Sequence, residues 1–273
     1  RAHGERQRLD DTRGTRTMII YRGPSMIDGA PIVAIATGFD GARNEKTGAG
    51  LVQVYILRSD INPVEASRTG ADASICGNCP LRGTYRDGLR VEGSRRCYVN
   101  LGQGVTIVWK AYERGVYPEA SPADLPAIFA GRFVRMGAYG DGAALPADIW
   151  HAILSRAAGR TGYTHQWRDP RFAYLAAYAM ASADSVQDAE EAHAAGWRTF
   201  RVSEPVGWAK MAGEGLCPAS YEAGKRTTCD KCLLCSGAAG KGKASIVIPR
   251  HDVAANAEKR RAGILPAITR RAA

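Results

Sequence analysis

No stretch of the chain approaches the ~18 consecutive apolar residues that a membrane-crossing helix needs, so a helical membrane protein is excluded. Histidine is scarce. His3, His151, His165, His193 and His251 are the only five, and no two form the His-hydrophobe-His pair of a replication nuclease. Acidic residues are outnumbered, with 27 Asp and Glu against 37 Lys and Arg, for a net charge of +10. Such a surplus suits a polyanion, with nucleic acid ahead of a membrane surface, or else a solvated basic surface with basic tails. Arg1 to Thr17 is polar and carries no apolar core, so no secretory leader and a cytoplasmic, reducing location are expected. Seven Cys make a poor disulfide framework, because the count is odd. In a reducing compartment, clustered thiols read as metal ligands.

Those thiols fall in two clusters. Cys217, Cys229, Cys232 and Cys235 form a C-P-x10-C-x2-C-x2-C run followed by Ser236-Gly237. Two-residue spacers allow a tight turn whose backbone N–H groups face bound sulfur, and four thiolates close either a [4Fe-4S] cubane or a tetrahedral zinc site. The successive x2 spacing favours iron–sulfur over zinc. His251, 16 residues past Cys235, is an alternative zinc ligand in place of Cys217. The surrounding loop is rich in Gly, Lys and Asp and lacks the apolar content to fold without a staple. The other cluster is Cys76-Gly77-Asn78-Cys79 with Cys97 after a further 17 residues. Three ligands are one short of closure. The fourth position is a distant His such as His165, or stays open for a substrate or cofactor. The competing reading makes Cys76 and Cys79 a redox pair and Cys97 a small buried hydrophobe.

Periodicity points to an α/β fold, a partial or full (β/α) barrel with Cys-rich metal-binding loops, or else an open doubly wound sheet. Ile32–Thr37 and Leu51–Leu57 read as a hairpin across Gly38–Gly50. Thr106–Arg114 reads as a helix. Phe133–Ala138, Gly162–Trp167, Tyr178–Ala183, Thr199–Val202 and Ser245–Ile248 read as strands. Pro146–Ala158 and Val186–Ala195 read as the helices between them, the second capped by Asp184 or Ser185. Asp169–Ala176 reads as a helix or turn. Residues 1–17 are expected to be a disordered basic arm, 18–250 a single metal-binding domain and 251–273 a basic extension with a short helix. In either layout chemistry belongs at the carboxyl ends of the strands. Tyr139 and Asp141, His165, Asp184 and Ser185, and Glu204 follow successive strands. Asp141, His165, Asp184 and Glu204 are thus the candidate catalytic residues, and helix capping is the bland reading of each.

The segments ILRSDINPVEASRTGADASICGNCP, RRCYVNLGQG, VWKAYERGVYP, GYTHQW, GWRTFRV and CPASYEAGKRTTCDKCLLCSG resemble a bacteriophage protein family whose members are named by gene position, over roughly residues 26 to 251. The layout also resembles radical S-adenosylmethionine enzymes. That resemblance implies a partial (β/α) barrel, with Cys76, Cys79 and Cys97 holding an open [4Fe-4S] cluster and the later four Cys holding an auxiliary one. Gly137, Tyr139, Gly140 and Asp141, within Met136–Asp141, stand where that family's Gly-Gly-Glu segment binds the cofactor. Here the cysteine spacing is x2 then x17 rather than x3 then x2, and Gly-Gly-Glu is only approximated. The implied function is a phage iron–sulfur enzyme, with nucleic acid among its candidate substrates.

Two rival functions differ in class. One resembles queuine-type transglycosylases, with zinc on Cys229, Cys232, Cys235 and His251 and with Asp141 and Asp184 as nucleophile and base. The other is a non-enzymatic, metal-stapled DNA-binding protein. In it Trp109-Lys110, Tyr112, Arg114, Trp167-Arg168 and Trp197-Arg198 would stack on bases and contact phosphates. Ordinary packing is the expectation for Trp150 and Trp197.

Overall fold

A computed structural model of the chain describes residues 17–41, 47–48, 50–240 and 242–266. The strands are β1 (Met18–Pro24), β2 (Pro31–Thr37), β3 (Leu51–Arg58), β4 (Tyr85–Arg86), β5 (Leu89–Arg90), β6 (Phe133–Tyr139), β7 (Gly159–Thr164), β8 (Met180–Ala183), β9 (Thr199–Ser203), β10 (Glu214–Leu216) and β11 (Ser245–Pro249). Nine of them form one sheet in the order β1-β2-β3-β6-β7-β8-β9-β11-β10, and β4-β5 is a separate small hairpin. The β1-β2 and β2-β3 pairs are antiparallel, and every later pair is parallel. Among the described residues β1 and β10 remain the two edges.

The parallel pairs need crossovers, and helices supply several of them. We label α1 (Pro63–Thr69), α2 (Thr106–Glu113), α3 (Ala147–Leu154), α4 (Val186–Ala194) and α5 (Val253–Arg261). The Ser185 hydroxyl, not Asp184, caps α4 by accepting from the Asp188 N–H at 3.0 Å. That cap satisfies one of the donors that every helix start leaves open. Trp150 on α3 is fully buried and donates its indole N–H to the Gly142 carbonyl at 2.7 Å. With Ile20, Ile32, Ile56, Leu57 and Phe129 it belongs to the larger of two apolar clusters. The smaller cluster holds Met180, Cys217, Ala219, Ile246 and Ile248, with Tyr163, Phe200 and Cys235 packed on it.

The β2-β3 hairpin, the helices at Thr106–Glu113 and Val186–Ala194, and the alternation from β6 onward agree with the sequence reading. Other boundaries moved. The strand placed at Tyr178 starts at Met180, because Pro170–Ala177 is 3-10 helix. The strand placed at Gly162–Trp167 runs from Gly159 to Thr164, and Gln166–Arg168 turns away. Residues 1–16 and 267–273, where the disordered arm and the loose end were expected, lie outside the described residues. The expected C-terminal helix is α5, and it is docked: its Lys259 is buried and donates to Glu222 at 2.6 Å. Among the described residues no helix is long and apolar enough to cross a membrane.

Candidate functional site

All seven cysteines line one cavity of about 380 Å³. Its floor is one face of the sheet, where alternate residues point the same way. Arg135, Gly137 and Tyr139 come from β6, Thr161 and Tyr163 from β7, Phe200 and Val202 from β9, and Ile246 from β11.

The first cysteine cluster sits at the carboxyl ends of β6 and β7. The Cys76–Cys79 turn is clamped there by Gln166, which donates to the Cys76 carbonyl at 3.2 Å and accepts from the Asn78 N–H at 3.3 Å. Gly77 is needed for this approach. Its φ is +53°, and a Cβ there would fall 2.3 Å from the Gln166 amide. Arg82 holds the turn from the other side, donating to the Gly77 carbonyl at 3.2 Å and pairing with buried Asp72 at 2.6 Å. The Cys97 N–H donates to the Leu81 carbonyl at 2.9 Å.

The second cluster departs in part from the carboxyl-end rule. Cys217 directly follows the carboxyl end of β10, but the Cys229–Cys235 segment runs along the amino ends of the strands. The Gly162 N–H donates to the Cys235 carbonyl at 3.0 Å, and Leu233 abuts Gly159 at the start of β7. Arg198, just before β9, donates to the carbonyls of Leu234, Gly237 and Ala244. The Asp230 N–H donates to the Thr47 carbonyl, and its carboxylate accepts from the Gly50 N–H, just before β3. The two clusters therefore face one another along the sheet, one at each end of the cavity.

The electrostatics follow from that crowding. Burial pushes the Cys76 thiol well above its usual value, and Cys79, Asp72 and Cys97 push it further. Cys235 is raised by burial and then by Cys217, Cys229 and Cys232. Burial alone would lower His165, but the Cys79 thiol, a hydrogen-bond neighbour, and the Asp184 carboxylate raise it well above the ordinary imidazole value. The His165 Nε2 lies 3.0 Å from the Asp184 Oδ2. Thiols within each cluster thus sense one another, yet among the described residues no three His, Cys, Asp or Glu side chains stand as a formed metal site.

The other predicted site residues divide. Gly137, Tyr139, Gly140 and Asp141 all line the cavity. Asp141 is buried and its oxygens are occupied: Oδ1 accepts from the Ala143 N–H at 2.9 Å and Oδ2 from the His165 N–H at 2.8 Å. That ties the ends of β6 and β7 together and ill suits a nucleophile. Asp184 faces His165 and is its orienting partner. Glu204 is exposed and is not on the cavity wall. Trp109, Trp167 and Trp197 are buried, so they pack rather than stack on bases. Arg168 lies over Trp167 and is paired with Asp188 and Glu191. Sequence reasoning passed over Arg135 and Tyr163. The available signal was a cation alternating with apolar residues inside β6 (Phe133-Val134-Arg135-Met136), where one face had to be polar.

Comparison with family models, with curated proteins and with solved structures finds no match to the chain.

Proposed function

We propose that this chain is a metal-dependent enzyme of the iron–sulfur kind. In it Cys217, Cys229, Cys232 and Cys235 hold a closed cubane, and Cys76, Cys79 and Cys97 hold a second centre with one position left for a ligand. The observation that carries this reading is the meeting of all seven thiols, from segments more than 100 residues apart, on one cavity wall. The donor chemistry fits. Burial and the neighbouring cysteines hold Cys76 and Cys235 in the neutral thiol form, and a bound cation would supply the charge that lets such thiols ionise and ligate. Convergence of β6, β7, β9 and β11 on the cavity supports a partial barrel.

A reduced cluster of this type supplies an electron, and S-adenosylmethionine is the cofactor that the resemblance implies. The chain's own contribution is positioning. Gly137, Tyr139, Gly140 and Asp141 border the first thiol set, and Gln166 fixes its turn.

One observation favours a zinc form of the same site. His165, beside Cys79, would be the fourth ligand to Cys76, Cys79 and Cys97. Asp184 would then be the carboxylate that orients a metal-bound imidazole. His251 also lines the cavity. Purification without oxygen, with iron and zinc analysis and a visible spectrum, separates the forms. The iron–sulfur form gives a brown protein absorbing near ~400 nm with about seven or eight iron atoms per chain. A colourless zinc protein supports the second form, and a protein free of both metals contradicts the proposal.

A further inference from the structure

Among the described residues, the cavity floor between the two thiol sets carries a cation, Arg135, with no carboxylate partner. Arg135 is a residue of β6 whose Nη2 donates to the Tyr98 hydroxyl at 3.0 Å. Its Nε is buried and has no acceptor. Among the described residues no carboxylate pairs with it; its electrostatic neighbours are Tyr98, Tyr163, Tyr55 and Cys229. Arg82 and Arg201 pair with the carboxylates of Asp72 and Glu214, and Arg160 and Arg198, whose Nε atoms likewise lack an acceptor, donate to backbone carbonyls, whereas Arg135 has only the Tyr98 hydroxyl. A guanidinium held partly out of water without a counter-charge is costly, so the position is explained by an anion that belongs there.

The same strand offers a second unmet polar group. Tyr139 is 4% exposed, lines the cavity, and its hydroxyl has no hydrogen-bond partner. Buried hydroxyls are almost always paired, and an orphan on a cavity wall marks a place for a ligand atom. Four residues of extended strand separate Arg135 from Tyr139, about 13 Å at most. The bulge shortens that span, since two residue steps along β3 (Gln53 to Tyr55) are matched by four along β6 (Arg135 to Tyr139). Tyr163 and Phe200, with ring centroids 4.6 Å apart, give the floor beside them an aromatic surface.

We infer that β6 presents a binding subsite for a small anionic ligand, an aromatic carboxylate or phosphate, with its acidic group on the Arg135 guanidinium and a polar atom on the Tyr139 hydroxyl. This rests on the reading of the cavity as a substrate site and adds the substrate's charge and shape. Arg is suited to the role because its planar fork matches both carboxylate and phosphate.

The test is calorimetric titration of the full chain, as purified, with benzoate, phenyl phosphate and the neutral benzamide. At least one anion is expected to bind about tenfold more tightly than benzamide, a difference typical of a charge-assisted pair. Preference for benzoate identifies a carboxylate ligand, for phenyl phosphate a phosphate ligand; either supports the inference. Arg135→Gln should abolish the preference and Arg135→Lys keep part of it. Tyr139→Phe should weaken binding of 4-hydroxybenzoate severalfold and leave that of benzoate unchanged, because only the former carries a second polar atom for the Tyr139 hydroxyl. Benzamide binding as well as both anions overturns the inference, as does no binding of any probe, or an Arg135→Gln protein that keeps the preference. Metal content and melting temperature are measured in parallel. If Arg135→Gln loses metal, Arg135 is the counter-charge of a thiolate centre and the inference falls. If the wild-type protein holds no metal yet prefers the anion, the inference stands and the metal reading fails.

Discussion

Asp141 and Asp184 show how one residue type takes different work from its surroundings. Both follow a strand, and both were candidates for chemistry on that ground. Asp141 spends its oxygens on two backbone N–H groups, whereas Asp184 turns its carboxylate to His165. Ala143, two residues on from Asp141, and His165, distant in sequence from both, decide this, so the sequence around each gives little warning. Glu214 is a third case. Burial raises its pKa, but the Arg201 fork, the Met211 N–H and the Arg201 charge together hold it below the ordinary glutamate value. The pair is sealed, with side chains 6% and 0% exposed. A depressed carboxylate contributes stability above its unfolded pKa of about 4.3, and that stability is lost as pH falls through the folded value. Glu214→Gln should therefore cost about 3 kcal/mol at pH 7, because it strands Arg201 in the interior. Its stability should also change less with pH below about 4.5. Urea melts of both proteins at pH 7 and in mild acid check this. Equal acid sensitivity in the two would contradict it.

At the scale of elements, the join between the antiparallel and parallel halves is the most demanding place in the sheet. There β6 bulges against β3, and Gly140 sits at φ +83°. A Cβ at that position would lie 2.8 Å from the Ile56 Cβ and 2.9 Å from its carbonyl oxygen. Gly140→Ala should destabilise the protein by about 2–3 kcal/mol, through strain at positive φ added to overpacking. Thermal melting checks this, and an unchanged midpoint would contradict it. The runs IVAIAT and LVQVYIL were legible as strands because β-branched residues dominate them. The sequence reading missed β1, whose MIIYRGP follows directly on the Arg-rich stretch, and β10, which is only three residues long. The starts of β7 and β8 were misplaced for a related reason. Ala, Gly and Tyr on either side of them favour no one conformation strongly, and packing against the second cysteine loop sets the register.

At the scale of the whole molecule, the thiols were legible as two clusters, and their spacing gave each its internal geometry. Their placement at opposite ends of one cavity was not legible. It depends on the Cys229–Gly240 segment passing along the amino ends of the strands, a path fixed by Arg198 and Asp230, whose side chains bond the backbone of distant segments. His165 could be listed as a distant fourth ligand. Only the fold shows it beside Cys79 with Asp184 behind it.

In the proposed function the two thiol sets are separate metal-holding units that line a shared cavity. Metal content per chain, measured without oxygen in the wild-type protein, Cys79→Ala and Cys232→Ala, tests it most directly. Each variant should lose one centre and keep the other. Cys232→Ala should also melt at a lower temperature, since its loop has few apolar residues to hold it. Cys79→Ala should keep most of its stability, because Arg82 and Gln166 still hold the turn. Metal content unchanged in both variants would contradict the account.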